Sequence, residues 1–143
     1  MILTLPWPPS VNRLWRAVKG RLIVSAEYRD WKELAATKIL VQRRQANYKP
    51  LPKGPISIDI GVRCPDKRRR DLDNLIKPAL AALVRARVIQ DDSDVDELSI
   101  WRDKPVSGGQ LRLRIIPLAL IRGLATIAGP EHEALEDAGN GLA

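Results

Sequence analysis

Ile56–Asp92 reads ISIDIGVRCPDKRRRDLDNLIKPALAALVRARVIQDD, and its pattern changes three times along its length. Ile56, Ile58, Ile60 and Val62 alternate with more polar or small neighbours, the period of a half-buried strand. Lys67, Arg68, Arg69 and Arg70 then run straight into Asp71 and Asp73. Leu72, Leu75, Ile76, Ala79, Leu80 and Leu83 recur at three and four, which predicts a helix to about Ala86. Pro78 is best tolerated in a first turn, so the helix starts near Asn74 or Leu75, or is kinked at the proline. Each like-charged cluster is costly to hold together, and folding alone does not ask for the arrangement. A meeting of cations with a polyanion does.

Upstream, Asn47–Pro55 holds three prolines and Gly54 and reads as a loop. Before it, Ser25 caps a helix from Ala26 to about Gln45, with Glu27 at its start and Arg43 and Arg44 at its end, as the helix dipole favours. Tyr28, Trp31, Ala35 and Ile39 recur at helical spacing and are assigned to its buried stripe. Ile2–Leu5 and Arg21–Val24 are strand candidates. Between them the prolines of Pro6–Pro9 stop the first strand, and Ser10–Lys19 reads as a loop. That loop carries Asn12, Arg13, Trp15, Arg16 and Lys19, which suit a phosphate backbone, while Trp7 and Trp15 serve equally well as cover for a core edge.

Downstream, Val88–Gln90 forms a short extended link into an acidic loop of Asp91, Asp92, Asp94 and Asp96. Leu98–Lys104 and Gln110–Ile116 read as two strands of a hairpin, with Gly108 and Gly109 in its loop. Pro117 ends the domain. The expectation is a mixed α/β (α+β) fold: one domain over 1–117, a sheet of four or five strands packed by two main helices, and an accessory, partly disordered tail over 118–143.

Composition bounds the function. A chain of 143 residues with 45% hydrophobic content is one ordinary domain that needs no disulfide or metal staple. Its single cysteine, Cys64, is read as a strand residue, and no signal peptide or membrane-length apolar run is seen, which suggests the cytoplasm. The net charge of +7 suits nucleic acid. From Leu118 onward Arg122 faces Glu131, Glu133, Glu136 and Asp137, so the tail carries −3 and the body +10. The only histidine, His132, is in that tail, which argues against Cys/His zinc sites, Ser/His triads and His-dependent nucleases in the body.

In an extended segment Asp71 and Asp73 project to one face just before the helix, and Lys77 follows one turn on. Hard divalent cations prefer such oxygens, and one carboxylate more from the Asp91–Asp96 loop completes a site open to phosphate. A metal there activates water and neutralises a scissile phosphate, a lysine steadies phosphate or leaving group, and the cations of Lys67–Arg70 hold the flanking phosphates. Together these features read as a metal-dependent phosphodiesterase acting on nucleic acid; capping aspartates and a solvated basic run are the structural alternative. Two other motifs fail. Asp92, Asp94, Asp96 and Asp103 fit a calcium loop, but its glycine is Glu97; Pro65-Asp66 opens a restriction-nuclease signature that no Asp/Glu-x-Lys follows.

The segments LPWPPSVNR (Leu5–Arg13), Gly20-Arg21 with Val24-Ser25, RRRDLDNLIK (Arg68–Lys77), VIQDD (Val88–Asp92) and GGQLRLRI (Gly108–Ile115) occur in order. In these the chain resembles the RusA-type Holliday junction resolvases, from about Leu3 to Ile116. The resemblance implies a Mg²⁺-dependent homodimer, with Mn²⁺ as a possible substitute, that places paired nicks in a four-way DNA junction during recombination and repair. By position it implies Asp71, Asp73 and Asp92 as the metal-site carboxylates and Lys77 as the functional lysine. Arg69, Arg70 and Asn74 fall in the family's DNA-contacting surroundings, and Asn12, Arg13 and Arg68 complete the expected DNA surface. Three departures stand out: Ala81 where many relatives carry aspartate, Arg87 in place of a common glycine, which requires a helix end unlike a glycine cap, and the longer tail. A catalytically silent branched-DNA-binding module and a less selective flap or branch nuclease are the competing expectations.

Overall fold

In the computed structural model the backbone of residues 1–128 and the side chains of residues 1–123 are described. The strand read from the isoleucine repeat is β4 (Ile56–Arg63), and only Asp59 and Arg63 along it are more than marginally exposed. So little polar surface suits the centre of a sheet, with neighbours on both sides. The other strands are β1 (Ile2–Pro6), β2 (Trp15–Val18), β3 (Arg21–Val24), β5 (Val95–Arg102) and β6 (Gln110–Pro117); the helices are α1 (Ala26–Gln45), α2 (Ile76–Arg85) and α3 (Leu118–Ala128). β1, β6, β4 and β5 form, in that order, a four-stranded sheet, and β2 and β3 pair apart as a ribbon. The mixed α/β expectation holds. Leu5, Ile58 and Leu113 of the sheet meet Trp31 and Ile39 of α1 and Leu83 of α2 in one core.

The predicted hairpin between the last two strands does not form. β6 is antiparallel to β4, and β5 is parallel to it on the other side. The connection therefore passes the end of β4, where Asp103 N–H donates to the Val62 carbonyl at 2.8 Å and Val106 N–H to the Cys64 carbonyl at 2.9 Å. β5 has no fully buried residue, and a strand that polar belongs at an edge. Cys64 is buried one residue beyond β4 rather than within it.

Ser10–Lys19 is likewise more ordered than a loop: a 3-10 turn at Val11–Arg13 leads into β2, which pairs with β3. Lys19 and Gly20 both take positive φ, 49° and 75°, the conformation of the tight hairpin turn that matches strand twist. Of the residues that suggested a loop, Trp15 and Arg16 lie exposed on β2, Asn12 and Arg13 in the 3-10 turn, and Lys19 in the hairpin turn. On the outer edge of β1, Gln42 of α1 acts as a surrogate strand. Its Oε1 accepts from Thr4 N–H at 2.7 Å and its Nε2 donates to the Thr4 carbonyl at 2.8 Å.

Ser25 caps α1 as expected, its Oγ accepting from Tyr28 N–H at 3.1 Å. α2 follows a 3-10 turn at Asp73–Leu75 and holds the buried Pro78 in its first turn. Val88–Gln90 is a set of bends rather than an extended link, with Val88 and Ile89 buried. Beyond Pro117 the chain continues directly into α3, whose Leu118 is buried and donates its N–H to the Pro55 carbonyl. Residues 129–143, including His132, lie outside the described residues, as does the expectation of partial disorder there. No described helix is long and apolar enough to cross a membrane.

Candidate active site

The charged stretch leaves the carboxyl end of β4 as a loop organised by Asp66. Its carboxylate accepts Arg68 N–H at 2.8 Å and both terminal nitrogens of Arg70, at 2.6 and 3.0 Å. Arg70 first, and the Arg68 N–H second, hold the Asp66 carboxyl at about 2. The Arg70 guanidinium also lies 5.6 Å from the centre of the Trp7 ring, and Arg102 of β5 donates to the Arg70 carbonyl. Trp7 and Pro65 in turn sit closely over Gly109. The loop is therefore fastened from strand, turn and edge at once.

This fastening leaves Asp71 and Asp73 open. Both are exposed, and neither carboxylate has a side-chain or backbone partner among the described residues, although four cations precede them. Asp71 lines a cleft of ≈ 380 Å³ with Trp7, Asn12, Arg69, Arg70 and Asn74. Asp73 opens the 3-10 turn that starts α2. Of the expected DNA contacts, Arg68 and Arg69 are exposed and Arg13 reaches only Glu27, at 3.8 Å, whereas the Arg70 fork is occupied by Asp66. Arg70 thus positions the loop.

The third carboxylate, Asp92, is set by the acidic loop after α2. In the acidic loop Asp91 accepts Ser93 N–H at 2.9 Å, and Asp94 accepts the N–H groups of Gln90 and Asp91 at 3.2 and 3.3 Å, a capping box that uses both side chains structurally. The Ser93 hydrogen bonds draw the Asp91 carboxyl below its ordinary value. Asp92 is left to project, and Lys77 Nζ meets it at 3.0 Å. The pair lines a second cleft, of ≈ 410 Å³, with Lys32, Ala81, Arg85 and Asp91. Behind it, burial first and the Asp92 charge second raise the Tyr28 hydroxyl above its usual value.

The site residues are thus divided between two clefts, with Asp71 in one and Lys77 and Asp92 in the other. Among the described residues no three His, Cys, Asp or Glu side chains stand together in a group able to hold a metal ion. The donor chemistry of Asp71 and Asp73 fits a hard divalent cation, because both are partner-free carboxylates. Asp92 matches it in kind but is held by Lys77. Sequence reasoning missed Asp66 and Arg102 as the supports of the loop and Lys32 and Arg85 as walls of the second cleft. The four-residue spacing of Asp66 and Arg70 was the available signal.

The family model described as Endodeoxyribonuclease RusA matches residues 6–116, which include every residue of both clefts named above. The chain belongs to the RusA family. Over 113 residues it is 40% identical to the crossover junction endodeoxyribonuclease RusA of Escherichia coli strain K12, covering 79% of this chain and 91% of that relative. The RusA proteins of Shigella sonnei and Enterobacteria phage 82 are 39% and 37% identical over the same length, with the same coverage. The match begins at the last residue of β1 and ends just before α3, so it spans the ribbon, α1, α2 and the sheet strands β4, β5 and β6.

Proposed function

We propose that this protein is a structure-selective endodeoxyribonuclease that resolves four-way DNA junctions by paired phosphodiester hydrolysis, in recombination and repair. The observation that carries the reading is the pair of partner-free carboxylates, Asp71 and Asp73, presented by a cation-flanked loop of a RusA-family chain. Mg²⁺, with Mn²⁺ as substitute, would be held by Asp71 and Asp73, with Asp92 as the third ligand once released from Lys77. When bound, the metal supplies an activated water and neutralises charge on the scissile phosphate.

The chain's own residues account for the rest. Arg68 and Arg69 hold phosphates flanking the cut, which bare carboxylates would repel. Asn12 and Asn74, both lining the Asp71 cleft, offer hydrogen bonds to the backbone. Lys77, which would be released were Asp92 to take up the metal, follows Asp73 by four residues and would steady the departing oxygen. Asp66 and Arg70 keep the loop in place. Ala81 on the second cleft's wall carries no acid, so the reaction runs on the three named carboxylates.

The protein works as a homodimer, whose two-fold symmetry offers two active sites to two symmetric strands. Nicking of a labelled mobile four-way junction, beside a linear duplex of the same sequence, tests the reading with Mg²⁺ and with chelator. Paired, metal-dependent nicks at the junction are expected. Asp71→Asn should lower nicking by more than about 100-fold while junction binding stays the same or tightens, because negative charge is lost and the cations remain. Full cleavage by that variant overturns the assignment, and binding without any cut by the parent indicates a silent module.

A further inference from the structure

The β2–β3 ribbon is the part of the molecule that its own fold leaves uncovered. Its register pairs Trp15 with Val24, Arg16 with Ile23, Ala17 with Leu22 and Val18 with Arg21. Paired residues share a face and the faces alternate, so one face carries Trp15, Ala17, Leu22 and Val24, and the other Arg16, Val18, Arg21 and Ile23. The first face is wholly apolar, yet Leu22 is 72% and Trp15 46% exposed. Only Val24, at the root, packs against the core. A two-stranded ribbon is marginal by itself, and an apolar face held in water is a cost without a use in the isolated chain.

The root of the ribbon is firm. Leu14 is buried, its carbonyl accepts Ser25 N–H at 3.0 Å, and Ser25 also caps α1. The ribbon follows directly on the Trp7–Asn12 segment that lines the Asp71 cleft. Its charge is one-sided: Arg13, Arg16, Lys19 and Arg21 all precede the first acid of the chain, Glu27.

We infer that the β2–β3 ribbon is a DNA-contacting arm that reads the branch point, with Arg16 and Arg21 on phosphates and the Trp15–Leu22 face against bases unstacked there. The inference rests on the proposal that branched DNA is the substrate. A continuous duplex hides its base faces, whereas a branch exposes them to an aromatic or aliphatic platform. A second copy of the chain would cover the same apolar face but would leave Arg16 and Arg21, on the opposite face, without an anion, whereas a DNA backbone supplies phosphates to them.

The test uses the full chain with chelator present and a four-way junction carrying 2-aminopurine beside the branch. Binding of the parent is expected to raise its fluorescence as the base unstacks. Trp15→Ala with Leu22→Ser should abolish that rise and weaken junction binding roughly tenfold, with linear duplex affinity moving less than about twofold. Arg16→Ala with Arg21→Ala should weaken junction and duplex alike and lower the log–log salt slope by about 2. Leu22→Ser alone, at a position 72% exposed, guards against a folding artefact and should show part of the first effect.

Unaltered fluorescence and affinity in all three variants overturn the arm. A shift from dimer to monomer in sedimentation of the apolar-face variants also overturns it, and assigns the face to a second copy. Nicking by the parent with Mg²⁺ reports on the reaction separately. Its absence with the fluorescence pattern intact removes the proposed chemistry and leaves the arm. Its presence with indifferent variants removes the arm alone.

Discussion

Asp66 shows how one residue fastens the loop that carries Asp71 and Asp73. Its carboxyl is held at about 2 in the folded chain against an ordinary 3.8, with Arg70 the larger cause and the Arg68 N–H the next. A depressed carboxyl value stabilises the fold fully above the unfolded value and ceases to do so as pH falls through the folded one. The stability gap between the parent and Asp66→Asn should accordingly be level near neutrality and narrow only between 3.8 and about 2, as read by urea unfolding at a series of pH values. A gap that is flat through that window would mean the clamp is not populated in solution. Arg87 makes the complementary case, of strain retained. It adopts φ 57° just beyond α2, where its N–H donates to Val84 and the next, from Val88, donates to Leu83. The helix end is thus the left-handed cap normally built on glycine, contrary to the expectation drawn from the missing glycine. Arg87→Gly should relieve about 1 kcal/mol of backbone strain, less some unfolded-state entropy, and raise the melting temperature by a few degrees in a calorimetric scan.

At the scale of elements, the connection between β5 and β6 joins the sheet to the site. Gly109 takes φ 68°, and a Cβ there would stand 2.7 Å from Trp7 Cε3 and 2.9 Å from Pro65 Cδ. Gly108 takes φ 79° with nothing within 4 Å. Gly108→Ala should therefore cost only the left-handed penalty, about 1 kcal/mol, and Gly109→Ala about 2–3 kcal/mol, with the excess due to Trp7 and Pro65. Equal losses in chemical denaturation of the two variants would show that Trp7 yields freely. The same connection marks the limit of what the residues disclosed beforehand. α1 was legible from Ser25 to Gln45 because cap, stripe and dipole agree, and α2 because a proline admits few starting points. Strand pairing was not, since two strands joined through Gly108-Gly109 look like neighbours to any local reading. Long-range burial decides otherwise: β4, apolar on both faces, takes the centre, and β5 with Asp96, Glu97 and Ser99 exposed takes the edge. Asp71, Asp73, Asp92 and Lys77 could all be named as candidates from the sequence, but the placing of Asp71 in one cleft and of Lys77 and Asp92 in another depends on where the acidic loop docks, and no spacing encodes that.

Over the whole molecule, that division bears on the proposed dimer. Asp71 lines one cleft and Asp92 the other, and one chain's described residues form no three-donor group. Asp92 would leave Lys77 in either case: a site built across a two-fold axis would join it to Asp71 and Asp73 of the other protomer, whereas a site closed within one chain would join it to Asp71 and Asp73 of its own loop. Mixing Asp71→Asn with Asp92→Asn protein, each inactive alone, separates these. In a shared arrangement the mixed dimer carries both defects at one site and none at the other, so single-strand nicking of the junction returns to at most half the parent's active-site content. In a self-contained arrangement each protomer of the mixed dimer still holds its own defect, and nothing returns. Because a shared site gives the mixed dimer only one working centre, the recovered product should be nicked rather than resolved junction, and native gels distinguish the two directly. Recovery of nicks is the expected outcome. It would explain why the free chain holds Asp71 and Asp73 open and Asp92 closed: neither half is a metal site until symmetry supplies the other.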